Sequence, residues 1–285
     1  MSLYLTAIMA TLIWGSSGIF VSLIDLPILT IVFIRTLIPT LFALIFIYKL
    51  KHILFLKKKV FFIVSLLSLS TLTFQFYGYK LAPVPLVSVL LYCWPLIYYF
   101  LALFFKQEVF MPIKLCLSLV AFMGILLINL EPTFSFSSSA YLGLFFGFLA
   151  AVSMACQIML IKLYMQDESS YSMLYIYNVL GALVLCPFFV LHLPSLSLYS
   201  FNISIFFGLF IGTLSFIMYF RCLQKLPGST MALVSYLEVP SSILLSLLFL
   251  KEGVTLLMIL GIFLVLFSSI TILTLKPNKK LGLQQ

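Results

Sequence analysis

Apolar residues run along this chain in long blocks, without the three-to-four spacing of a half-buried helix or the alternation of a half-buried strand. Each block approaches the roughly 20 residues that an α-helix needs to cross a bilayer. They predict about ten membrane-spanning helices, at 3–23, 29–48, 60–80, 84–104, 111–129, 140–162, 171–191, 203–222, 230–250 and 255–275. The connections are short and carry Pro, Ser, Asn or charge, as at Asp25 to Pro27, Lys49 to Lys59, Glu131 to Ser139, Gln166 to Ser170 and His192 to Asn202. None is long enough for a soluble domain.

The pattern repeats. Setting Pro95 on Pro240 gives an offset of 145 (240 − 95 = 145), which also lays Leu81 on Leu226, Lys106 on Lys251 and Gln107 on Glu252. Duplication predicts an all-α integral membrane protein of ten transmembrane helices in two five-helix repeats, 1–130 and 140–276, with a tail at 277–285. Five spans per half is odd, so the second half crosses in the opposite sense and the repeats are inverted.

Composition agrees: 64% of residues are hydrophobic and 8% charged, where a soluble domain carries about 25% charged. The net charge of +9 is distributed beside the spans rather than over a nucleic-acid-binding face, so no nucleic-acid partner is expected. With a cytoplasmic amino terminus, the inner side collects Lys49, Lys51, Lys57, Lys58, Lys59, Lys106, Lys114, Lys162, Arg221, Lys225, Lys276, Lys279 and Lys280. Only Lys80 and Lys251 fall outside, with Arg35 inside a span. That bias predicts both termini in the cytoplasm. Cys93, Cys116, Cys156, Cys186 and Cys222 lack CxxC spacing and read as small reduced hydrophobes, not a metal site or disulfide framework. The first apolar block has no basic lead-in or convincing cleavage site, and reads as a retained helix.

Polar residues in hydrocarbon are costly, about 2.5 to 3.5 kcal/mol for Arg or Asp at a helix centre, so they mark the interior. Glu238, near the middle of the ninth span, suits a proton carrier or a partner for a substrate amine. Arg35, about two turns from the outer end of the second, suits a carboxylate or phosphate. The bland alternatives are mutual neutralisation, or snorkelling of Arg35 to the interface. Helical stripes of Ser68, Thr71, Gln75 and Tyr79; of Ser88, Tyr92, Pro95 and Tyr99; of Tyr171, Tyr175 and Asn178; and the cluster Ser235, Glu238, Ser241 and Ser242 mark faces turned from lipid. The larger polar side chains read as cavity lining and most hydroxyls as interhelical glue.

Pro95 and Pro240 lie mid-span and deprive the carbonyls of Leu91 and Tyr236 of their helical donors, which shapes the bundle and offers acceptors to a substrate. Pro39 and Pro187 are candidate bends in the second and seventh spans. Gly143 and Gly147, and Gly208 and Gly212, form GxxxG packing faces. Gly15 and Gly18 loosen the first span beside Trp14, as a hinge or as a tight crossing. Trp14, Tyr92, Trp94, Tyr98, Tyr99, Tyr175 and Tyr177 place large rings at depth, either as core packing or as faces for a planar or cationic solute.

Ile13-Trp14-Gly15-Ser16-Ser17, the stretch Gly143 to Lys162, and Ser235-Tyr236-Leu237-Glu238 followed by Leu250-Lys251-Glu252-Gly253 resemble, in this order, the EamA-type transporters of the drug/metabolite transporter superfamily. The resemblance implies two inverted five-helix repeats around a central cavity, alternating access, and transport of amino acids, related metabolites or toxic organic compounds. The family's usual Pro-Val order after Leu-Glu is here Val239-Pro240.

The resulting expectation is a secondary transporter of small organic metabolites, amino acids or related compounds, in a bacterial inner membrane, as a monomer or weak homo-oligomer. Its partners are the small-molecule substrate and the lipid bilayer, with no cofactor and no metal. A transporter of S-adenosylmethionine or a nucleoside-like metabolite is the alternative substrate reading. A channel and a membrane-embedded enzyme are alternatives of a different class. His52 and His192 fall on opposite sides, no GxxxxGK[ST] loop is present, and no catalytic residues are assigned.

Overall fold

The computed structural model describes residues 2–46, 58–129, 138–192, 197–250 and 253–274. Lys251 and Glu252 of the closing pattern, most of the 49–59 and 131–139 connections, and the 277–285 tail lie outside them. Among the described residues nine helices are long and apolar enough to cross a membrane, and a shorter apolar one, Leu29–Ile45, supplies the second span. The protein is thus an all-α, ten-span membrane protein. The first span begins and the tenth finishes at one end of the bundle, called the terminal end; the other is the distal end.

Hydrocarbon supplies no hydrogen bonds, so breaks in these helices must be satisfied internally. The first span is Leu3–Gly15 and Ser17–Leu23, turning at Ser16, whose hydroxyl donates to the Ile13 carbonyl at 2.7 Å. The fourth span is Val84–Leu91 and Trp94–Phe104; the ninth is Gly228–Ser235 and Glu238–Leu245, with a π-helical continuation Ser246–Leu250. In the eighth, Leu198–Phe207 and Phe216–Lys225 flank a π-helical turn, Gly208–Ser215. Pro39 and Pro187 stay within continuous helices, Ile28–Ile45 and Ser170–His192.

The breaks correct the repeat register. Helices starting at Val84 and Gly228, at Trp94 and Glu238, and at Pro112 and Leu256 correspond at an offset of 144 (228 − 84 = 144). Alignment on Pro95 and Pro240 is therefore one residue out. Pro95 is the second residue of its helix and Pro240 the third, and a proline is tolerated at either place because the first turn has no use for its missing N–H. Nor is the Tyr236 carbonyl left without a donor: it accepts from the Val239 N–H at 3.1 Å. The two breaks meet, with the Tyr236 hydroxyl donating to the backbone carbonyl of its counterpart Tyr92 at 3.0 Å.

Small residues let the spans approach. A Cβ on Gly143 would lie 2.6 Å from the Cβ of Ala82, just past the end of the third span, and one on Gly212 would lie 2.8 Å from the Arg35 carbonyl of the second. Glue between helices comes from Ser268 donating to the Leu117 carbonyl (2.6 Å), Ser269 to Leu233 (3.2 Å) and Ser65 to Ile176. Ser235, Ser241 and Ser242 instead donate to carbonyls of their own helix. At the crossing of the fifth and tenth spans, Gly124 and Gly261 touch, and a Cβ on Gly261 would meet the Gly124 carbonyl and lie 2.7 Å from Ile128 Cγ1. Gly261→Val should therefore destabilise the protein by about 1–3 kcal/mol through overpacking, read as a lower thermal transition in detergent. Gly18→Ala, whose new Cβ has no neighbour within 4 Å among the described residues, should not share that loss.

Candidate functional site

Glu238 opens the second helix of the broken ninth span, where the N-terminal end of the helix dipole favours a carboxylate. Its neighbours Tyr236, Leu237, Val239 and Pro240 are buried, whereas Glu238 is half-buried. Glu238 acts electrostatically on Arg35, Tyr79, Tyr92 and Tyr177. The second, third, fourth, seventh and ninth spans thus each turn one polar group toward the same region. All five side chains are half-buried, Arg35 and Tyr177 within continuous helices, Tyr79 near the end of one, and Tyr92 and Glu238 at the two helix breaks.

Arg35 and Glu238 do not meet. Among the described residues the ion-pair contact is Lys114 with Glu108, at another place. The Arg35 guanidinium lies over Phe216, 5.6 Å from the ring centroid, a cation–π placement that holds the charge without neutralising it. Phe216 also packs against Trp14 (5.0 Å between centroids) and Tyr177 (4.9 Å). The indole Nε1 of Trp14 is buried with no hydrogen-bond partner among the described residues. On the distal side, the Gln75 amide donates to the Tyr79 hydroxyl at 2.8 Å, and that hydroxyl lies 3.2 Å from Ser88 Oγ.

Ser88 and Tyr92 lead into a cavity of about 250 Å³ near the distal end. Pro85 completes the fourth span's share; Ile128 and Asn129 come from the fifth, Val239, Ser242 and Ile243 from the ninth, and Met258 from the tenth. Gly15 sets the first span against the ninth, since a Cβ there would meet Ser241 Oγ and lie 2.8 Å from the Glu238 carbonyl.

The remaining candidates lie elsewhere. The Tyr99 hydroxyl accepts from the Met111 N–H (2.9 Å) and donates to the Met111 carbonyl (3.0 Å), clamping the connection between the fourth and fifth spans. Trp94 is 2% exposed in the core, and the buried Asn178 amide donates to the Leu174 carbonyl of its own helix at 2.8 Å. Tyr175 packs half-buried against the core. The seventh span turns Tyr177 toward the charges; it lies off the Tyr171, Tyr175 and Asn178 stripe, so helical spacing favours a different face. Phe216 carries no polar atom to mark it, and only the basic residue above its ring reveals its part.

Near the terminal end lies a buried polar latch. Lys114 Nζ donates to Glu108 Oε2 at 2.6 Å and to Ser229 Oγ at 2.8 Å; the Ser229 N–H donates to Glu108 Oε1 at 2.8 Å, and its hydroxyl donates to Glu108 Oε2. Glu108 therefore caps the first helix of the ninth span from the opposite repeat. Lys162 Nζ similarly donates to the carbonyls of Leu223 (2.7 Å) and Leu226 (3.0 Å) where the eighth span ends.

An all-helical bundle of ten spans in two inverted halves is the architecture of a membrane transporter. The chain belongs to the EamA-like transporter family, whose sequence model matches residues 1–130 and 141–274. A solved structure described only as "Crystal structure of protein" superposes with a TM-score of 0.83 at 15% identity, covering 97% of this chain and 99% of that one. At that identity the likeness shows the fold alone. A comparison with curated proteins finds no match.

The latch has a distinctive signature in stability. Lys114→Met leaves the Glu108 carboxylate enclosed and without its cation, and should cost about 3–5 kcal/mol. The double variant Glu108→Gln with Lys114→Met should recover part of that loss, measured as thermal transitions of the purified protein in detergent.

Proposed function

We propose that this protein carries small zwitterionic organic solutes, amino acids or close relatives, by exposing the Arg35–Glu238 region alternately to the two faces of the membrane. One observation carries the reading: the opposite charges of Arg35 and Glu238 lie within electrostatic reach inside the bundle and form no ion pair with each other. Two such charges in a low-dielectric interior gain when a ligand supplies the missing partners. The solute's ammonium group goes to Glu238 and its carboxylate to Arg35, as charge-assisted hydrogen bonds. Tyr79, Tyr92 and Tyr177 offer hydroxyls around it. Glu238 also serves as the proton-coupling group, because a carboxylate can hold the solute amine or a proton but not both.

The aromatic group of Trp14, Phe216 and Tyr177, with its spare indole donor, favours a second reading in which the solute is an adenine-bearing amino acid such as S-adenosylmethionine. The basic residues near the terminal end support a cytoplasmic placement of both termini, in a bacterial inner membrane.

Counterflow into proteoliposomes preloaded with unlabelled amino acids or S-adenosylmethionine tests both readings. Saturable, exchange-stimulated entry of one labelled solute class is expected; entry without saturation would indicate a channel, and no entry of either class would remove this solute assignment. Glu238→Gln should weaken apparent affinity ten- to a hundredfold, as loss of a charged hydrogen bond worth about 1.5–3 kcal/mol requires. Protonation removes the Glu238 charge, so wild-type affinity should fall as pH falls, and the Gln variant should lose that dependence. Arg35→Ala should weaken carboxylate-bearing solutes and leave their decarboxylated amines less affected.

A further inference from the structure

The corrected register makes a comparison possible between the two ends of the bundle. Adding or subtracting 144 maps the distal cavity onto the terminal end: Pro85 falls on Ser229, Ser88 on Ala232, Tyr92 on Tyr236, Ser242 on Tyr98, Ile243 on Tyr99 and Met258 on Lys114. These six positions are half-buried at the distal end and buried at the terminal end; of the other three lining residues, Ile128 and Val239 are buried, as are their counterparts Ile272 and Pro95, and Asn129 and its counterpart Leu273 are both half-buried. The same architecture is therefore open at one end and filled at the other.

Five positions at which the halves differ account for this: Tyr98, Tyr99, Gly228, Lys114 and Ser229. Tyr98 and Tyr99, 0% and 1% exposed, fill the volume that Ser242 and Ile243 leave empty. Gly228 admits the first of these rings, since a Cβ there would meet the Tyr98 hydroxyl and lie 2.8 Å from its Cε1. Lys114 and Ser229 bind Glu108, whereas their counterparts Met258 and Pro85 offer no charge, and Pro85 lacks even a backbone N–H. No equivalent latch can be built from those two residues.

We infer that the 250 Å³ cavity is the access site through which solute reaches Glu238 from the distal face, and that Tyr98, Tyr99 and the Glu108–Lys114–Ser229 latch hold the equivalent terminal route shut. The neutral donors and acceptors along the cavity, Ser88, Tyr92, Asn129 and Ser242, suit a polar solute passing without capture by a fixed charge. The inference rests on the transport reading for what passes, but not for which end is open.

Accessibility can therefore be tested without any solute. Ser88→Cys and its counterpart Ala232→Cys would be placed singly in a parent carrying Cys116→Ser and Cys186→Ser, with the parent itself as blank. Sealed vesicles of each orientation would be treated with a membrane-impermeant methanethiosulfonate. Ser88→Cys should react from the distal face at least tenfold faster than Ala232→Cys from the terminal face. Ser242→Cys repeats the distal measurement should Ser88→Cys disturb Tyr79. Exchanging the filling residues should invert the asymmetry: Ser242→Tyr slows the distal reaction, and Tyr98→Ser, or Glu108→Gln with Lys114→Met, speeds the terminal one. Folding is checked by a single symmetric size-exclusion peak. Equal rates at the two faces, or rates indifferent to the exchanges, would overturn the inference even if counterflow succeeds; the predicted asymmetry with failed counterflow would overturn only the solute assignment.

Discussion

Hydrocarbon accepts no hydrogen bonds, and every notable feature of this molecule is a response to that fact. A backbone in lipid must satisfy itself, which gives the long helices; where a helix breaks, protein groups must replace the lost bonds. The breaks at Tyr92 and Tyr236 answer one another, the second tyrosine's hydroxyl binding the first one's carbonyl. That bond joins the two halves close to the charges, so the discontinuity that weakens each helix also fixes their crossing. Glu238 then begins a new helix in mid-membrane, where its negative charge meets the positive end of the dipole.

The same constraint explains why the charges stay apart. An Arg35–Glu238 ion pair would neutralise the interior and leave little for a polar ligand to gain. The Phe216 ring beneath the guanidinium stabilises the cation by its quadrupole, while the carboxylate is held by the helix start. At the terminal end the opposite arrangement appears: Glu108 and Lys114 do meet, and the serine that links them lies in the first turn of the ninth span. The latch uses its charges on each other, whereas Arg35 and Glu238 form no ion pair with each other.

Inverted repeats start with equivalent ends, and differences in side-chain volume remove the equivalence. Tyrosines on one half and serine and isoleucine on the other, at matching positions, separate a filled crossing from an open cavity. No change in backbone plan is required. The eighth span shows a subtler departure, a π-helical turn beside Arg35 where Gly212 lies against the arginine's own carbonyl.

Much of this was legible in the residues alone. Block length and the absence of surface charge determined ten helices, because lipid selects on those properties without regard to tertiary detail. The odd span count determined inversion, and the rarity of charge in the spans singled out Arg35 and Glu238 as interior groups. Register was less secure: two prolines suggested an offset of 145, because proline tolerates any place in a first turn, and only the helix starts resolved it to 144. Stripes of polar residues located helix faces but not what each face meets. Tyr99 proved to be bound to Met111, and Tyr177, off the stripe, to stand by the charges. Tertiary packing alone decided that Phe216 lies beneath Arg35 and that Ser229 lies between Glu108 and Lys114, since these contacts join residues more than a hundred positions apart, and helical periodicity carries no information across such a distance.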